Sequence, residues 1–124
     1  MEGANGIIHD VTIQPDGKII IAGDFTRVNY VERSRIARLN PNGTVDRSFD
    51  PGTGFNATVY TIVQDQRQSR TAPNQFGGPG GPITNPDYLK VYACGHFSKF
   101  DQVRRYGLAR VKANGMLDTT FMDN

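Results

Sequence analysis

The chain has 124 residues, a net charge of +2, 37% hydrophobic residues and a single cysteine, Cys94. That length suits one domain and is too short for two independent cores, and the charge falls well short of the dense basic runs of a dedicated nucleic-acid binder. One cysteine excludes an internal disulfide and any multi-cysteine metal site, and no stretch approaches the roughly 20 apolar residues of a membrane span.

In chain order, Ile7 to Ile13 is a short apolar-rich run closed by Pro15-Asp16-Gly17, and Lys18 to Asp24 follows at once. The pair is predicted to be a β-hairpin, because Pro presets φ, Asp bonds its own backbone and Gly accepts φ > 0. Thr26 to Ser34 reads as a polar connection. Arg35 to Asn40 and Thr44 to Phe49 flank Pro41-Asn42-Gly43, where Asn-Gly predicts a second hairpin through a type I′ turn. Apolar residues stand at consecutive positions in Ile19-Ile20-Ile21-Ala22 and Val91-Tyr92-Ala93-Cys94, which predicts strands covered on both faces. Cys94 is accordingly expected to be a small buried core residue.

The chain then repeats itself. Residues 18–49 align without a gap on 90–121 at a constant offset of 72, with 11 identities in 32 positions, among them Gly23/Gly95, Phe25/Phe97, Arg33/Arg105, Arg38/Arg110, Asp46/Asp118 and Phe49/Phe121. A fixed-period repeat marks an array whose units hide their apolar faces against neighbours. The expected organisation is one domain over 1–124, with repeats at 6–57 and 58–124. The second repeat exchanges the Pro-Asp-Gly turn for an insertion at about 66–87, rich in Gly and Pro. Long loops are commonly functional or disordered, so the insertion is either a contact arm or a mobile loop, and Phe76, which stands alone within it, is the residue expected to dock on a neighbour if the arm is ordered.

These residues carry a family resemblance. The boxes Gln14–Lys18 (QPDGK), Gly23–Thr26 (GDFT), Ala37–Asn40 (ARLN), Gly43–Phe49 (GTVDRSF) and the linker Asp50–Gly54 closely resemble the delta-sixty repeat, a family of unknown function regarded as forming β-propeller blades. The resemblance implies an all-β chain of two four-stranded antiparallel blades, and it carries no catalytic residues. Propellers close with about four to eight blades. Homo-oligomerisation is therefore expected, with a trimer of six blades favoured over two or four chains; the main competing expectation is that the two blades are a piece of a longer chain.

The remaining chemistry is sparse. Asn40, Asn42 and Asp46 have a faint calcium-loop spacing, but Lys112 replaces Asn40 in the second repeat and no closing glutamate follows. Asp46 and Asp118 are expected to accept backbone hydrogen bonds at strand ends. His9 and His96 lie at unmatched repeat positions without ligand spacing, and no nucleophile elbow or phosphate-binding loop is present. No catalytic, metal or cofactor site is expected.

Basic residues recur in the matched stretches, and Arg33, Arg104 and Arg105 beside Tyr30, Phe100 and Tyr106 form a candidate rim for a partner or an anionic glycan. The competing expectation makes Arg33/Arg105 and Arg38/Arg110 structural bridges between blades. The sequence thus points to a non-catalytic structural or attachment module, such as a phage tail or decoration component of a virion or other extracellular particle. A glycan- or cell-surface-binding propeller is the alternative. Its expected partners are copies of itself, other structural proteins of the particle and surface glycan, with neither nucleic acid nor membrane insertion involved.

Overall fold

The computed structural model describes residues 2–67, 70–71, 82–83 and 85–122. Every regular element among them is a strand. The first repeat supplies β1 (Ile8–Ile13), β2 (Ile19–Gly23), β3 (Arg27–Val28), β4 (Val31–Glu32) and β5 (Ile36–Leu39). The second supplies β6 (Val59–Gln64), β9 (Val91–Gly95), β10 (Lys99–Phe100), β11 (Val103–Arg104) and β12 (Leu108–Val111), and β7 (Arg70–Thr71) pairs with β8 (Pro82–Ile83) inside the insertion. The strands β1, β2 and β5 form one antiparallel sheet in that order, and β6, β9 and β12 form its counterpart.

Each blade departs from a plain double hairpin in two places. The first is the connection read as polar coil, which holds a two-residue ribbon, β3–β4 or β10–β11. Its turn residues are Asn29 (φ 47) and Tyr30 (φ 66), and Asp101 (φ 47) and Gln102 (φ 68) in the second blade. Positive φ at both central positions is the type I′ signature. The Asn-Gly hairpins do not share it. In Pro41-Asn42-Gly43 only the glycine is left-handed, with Gly43 N–H donating to Asn40 O (2.8 Å) and Asn40 N–H to Thr44 O (2.7 Å). Proline fixes its φ near −65°, which sets the first position of a type I turn and leaves Gly43 to close the loop.

The second departure is the fourth strand. It contracts to a single bridge in each blade, Leu39 to Val45 and Val111 to Leu117. Asp46 explains the contraction: its Oδ1 captures the Ser48 N–H at 3.0 Å, as Asp118 captures that of Thr120. Such a turn competes with the sheet ladder for the backbone.

The insertion leaves the hairpin frame of the second blade intact. Leu89 takes the left-handed place of Gly17 (φ 68 against 87), and its N–H bonds Asp65 O at 2.8 Å just as Gly17 N–H bonds Gln14 O at 2.9 Å. The base is pinned by Asp65, which accepts from Arg67 and Asn85.

The two sheets pack face to face. Ile20, Ala22 and Ile36 of the first blade meet Ile62, Val91, Ala93, Ala109 and Val111 of the second in one buried cluster, joined by Phe49 and Phe55 from the linker side. Phe55 is fully buried against Phe97 and Phe100, with ring centroids 4.4 and 4.3 Å away. The linker residue thus fastens the ribbon of the second blade.

The equivalent glycines Gly43 and Gly115 show how close the blades come. Both have φ near +90, but a Cβ on Gly115 would lie 2.6 Å from Asp50 N, while one on Gly43 would meet nothing within 4 Å. Alanine strains the backbone at both sites and overpacks only the second. Denaturation at low protein concentration is expected to show Gly115→Ala costing at least about 1 kcal/mol more than Gly43→Ala. Equal losses would contradict the close approach.

Candidate assembly interface

The seam between the blades combines an apolar interior with the ionic cluster of Asp46, and the second blade repeats that cluster around Asp118 on its open side. Asp46 Oδ2 accepts from Lys18 Nζ (2.8 Å) and Arg38 Nε (2.9 Å), and its Oδ1 from the Ser48 hydroxyl (2.6 Å). Asp118 repeats this with Lys90, Arg110 and Thr120. Burial alone would raise both carboxyl pKa values. The donors outweigh it and hold both well below the usual carboxylate range. Arg38 stacks on Phe49 and extends across the seam, where Nη1 donates to Ala113 O of the second blade at 2.9 Å. Beside it Asp50 N–H donates to Asn114 O, also at 2.9 Å.

Nearer the innermost strands, Ile62 N–H donates across the seam to Asp10 Oδ2 at 2.8 Å. The strands β1 and β6 carry the same irregularity, with His9 and Tyr60 as the extra residues of two β-bulges. Bulges re-aim side chains. The two rings lie 5.0 Å apart, tilted, and His96 meets Tyr60 edge-on at 4.9 Å. His9 Nε2 lies 3.2 Å from Asp24 Oδ2, whose Oδ1 accepts from the Thr58 hydroxyl. That order differs from a catalytic triad, in which the hydroxyl would bond the imidazole. Sequence spacing missed this group, because His9 and Tyr60 are equivalent at an offset of 51, not 72.

One face of each blade is left open. On the first blade, the rows Val11–Ile21–Ala37 and Ile13–Ile19–Leu39 share a face; Ile21 and Ala37 are buried there with Phe25 and Val28, and the exposed part is the innermost strand, with Val11 55% and Ile13 68% exposed. Their equivalents, Ile62–Ala93–Ala109 and Gln64–Val91–Val111, are the face that the second blade buries in the seam. The opposite face of the second blade, with Val63, Tyr92 and Cys94, is equivalent to the face the first blade buries. Among the described residues no second sheet covers it, and Val63 is 58% exposed.

A family model described as a domain of unknown function (DUF5122), beta-propeller, matches residues 14–49 and 90–121, together more than half of the chain. The chain belongs to this family. No curated protein and no solved structure matches it. The two sheets are therefore blades of a DUF5122 β-propeller, and the seam is the packing of successive blades.

The residues singled out by sequence fall in different places on this DUF5122 pair. Tyr30 is 74% exposed at the tip of the first ribbon, where its N–H bonds Glu2. Arg104 lies over the exposed ring of Tyr106 at 5.9 Å, on the other blade. Arg33 and Arg105 are half-buried; their Nη1 groups donate to the carbonyls of the preceding residues, Glu32 and Arg104, and their backbone N–H groups close the ribbons on Thr26 O and Ser98 O, so that among the described residues their hydrogen bonds stay within their own blades. Arg38 does bridge them.

Two further expectations are corrected. Phe100 is fully buried as the ribbon residue equivalent to Val28, and it offers no face to a ligand. Cys94 is exposed, although its equivalent Ala22 is fully buried, because no third blade covers its side of the sheet. Phe76 lies outside the described residues. Among those residues no cluster of three metal-ligating side chains forms, and no helix is long and apolar enough to cross a membrane.

Proposed function

We propose that this chain is a non-catalytic structural or attachment module, a component of a virion or other large extracellular particle, that works as a propeller built from several copies of itself. The observation supporting this reading is the open apolar face carrying Val11 and Ile13, whose equivalent in the second blade is buried by a neighbouring blade. Contiguous apolar surface of that kind marks an interaction site. Three copies would supply six blades, within the range in which propellers close. Light scattering at micromolar concentration is expected to give the mass of three 13.7 kDa chains. The mass of one protomer together with a cooperative melt would refute the reading.

A second reading makes the exposed ribbon side a glycan-binding rim. It is favoured by the pairing of Arg104 with Tyr106 and by the exposure of Tyr30, since aromatic faces beside cations suit sugar rings bearing anionic groups. Reproducible binding on a glycan array, lost in Tyr30→Ala or Arg104→Ala, would support the rim. No binding above background would remove it.

A further inference from the structure

The seam inside the chain specifies how one copy meets the next. We infer that copies associate head to tail, the open face of the second blade seating on the open face of the first blade of the next copy, in the register of the internal seam. This rests on the self-assembling propeller proposed above. The two open faces differ from each other, and each is equivalent to one half of a junction that the chain already makes. A face-to-face pairing of two first blades has no such precedent. Contacts between unlike faces extend to rings where the rotation closes.

Several equivalences converge on this junction. Val11 and Ile13 would take the places of Ile62 and Gln64, which are 6% and 7% exposed in the internal seam. Cys94 would take the place of Ala22, which is fully buried there. The empty space over Gly43 is the counterpart of the space over Gly115, filled by the backbone of Asp50. In the copy it receives the chain just after Phe121.

Polar partners are in position as well. Arg38 Nη1 holds Ala113 O at 2.9 Å, whereas the equivalent Nη1 of Arg110 reaches only Asp87 at 3.2 Å and Tyr92 at 3.4 Å within its own blade. Across the new junction Arg110 meets the carbonyl of Pro41 in the next copy, the residue equivalent to Ala113. Three contacts are not reproduced: the Thr58–Asp24 hydrogen bond has Ile7 and His96 as its counterparts, the bond from Arg35 to Phe55 O has Gly107 in place of the arginine, and the Asp10 carboxylate that accepts from Ile62 N–H is replaced by Thr61.

Two single variants and their mixture test the arrangement. Val11→Asp spoils the face of the first blade and Cys94→Asp that of the second; both sites are exposed in the single chain, so folding is retained and is checked by circular dichroism and melting. Each variant alone is expected to run as a single protomer. Their equimolar mixture is expected to give a species of twice that mass, because each supplies the intact face the other lacks. In the parent, the Cys94 thiol is expected to react with a maleimide at least tenfold more slowly when assembled than when diluted to protomers.

Assembly of Cys94→Asp at the parent's mass, or a mixture that stays at single-protomer mass, would overturn the head-to-tail arrangement while leaving self-assembly standing. A parent that is itself a single protomer would overturn both.

Discussion

Phe55→Ala is expected to destabilise the chain by about 3–5 kcal/mol, the usual cost of emptying a fully buried phenylalanine site. Phe55 is inaccessible to solvent and sits between Phe97 and Phe100, while its backbone joins Ser34 and Arg35 of the first blade through N–H and carbonyl hydrogen bonds. The cavity would therefore open at the point where the linker fastens both blades, with backbone hydrogen bonds on either side resisting collapse. Urea denaturation is expected to show a lower midpoint with an unchanged slope. The exposed Tyr30, replaced by alanine in parallel, should shift stability by no more than about 0.5 kcal/mol. A loss at Phe55 as small as that would show that the blades do not share this core.

Asp46→Ala and Asp118→Ala are expected to cost about 3 kcal/mol or more each, because each removes the shared acceptor of a half-buried Lys–Arg pair and leaves cations facing one another. Lys90 retains Asp87 at 2.9 Å, while Lys18 is 30% exposed and rehydrates more easily, so both losses stay toward the lower end. Asp→Asn should cost less at either site, since an amide oxygen still accepts from Ser48 or Thr120.

The same carboxylates, together with Asp65, which hydrogen bonds from Arg67 hold below the usual range, set the acid limit. Their folded pKa values lie below the unfolded value near 3.9, so the stabilisation is present in full above that value and drains away as pH falls through it toward the folded values. The melting temperature of the parent is expected to fall steeply below about pH 4, and that of an Asp46→Asn/Asp118→Asn double variant less steeply. Parallel pH profiles would show that the two clusters are not the acid-sensitive elements.

Much of this fold was legible in the residues, because turns and repeats report directly on backbone geometry. Gly17, Gly43 and Gly115 mark the hairpins, and the offset of 72 pairs nearly every core position of β2, β5, β9 and β12. The ribbons were not legible. Asn29-Tyr30 and Asp101-Gln102 take the type I′ turn without a glycine, inside segments whose polarity suggested coil. The insertion hid the equivalence of β1 and β6 by changing their offset to 51, and with it the ring contacts of His9, Tyr60 and His96.

Equivalence in sequence also fails to guarantee equivalence of surroundings. Cys94 and Ala22 occupy the same place in their blades, yet one faces solvent and the other a second sheet. Phe100 reads as a surface aromatic in the sequence because its ribbon has the composition of a polar loop, yet it is fully buried. The ionic clusters were half read: the capture of Ser48 and Thr120 N–H groups follows from short acidic side chains at strand ends, whereas the convergence of Lys18 and Arg38 on one oxygen requires the register of β2 with β5.

Electron-microscopic images of the particles formed at micromolar concentration test the propeller assembly most directly. Closed rings of an even number of radial blades, between four and eight, around a central channel are the expected result. Isolated two-blade wedges as the sole species, at concentrations well above those of ordinary protein association, would contradict it.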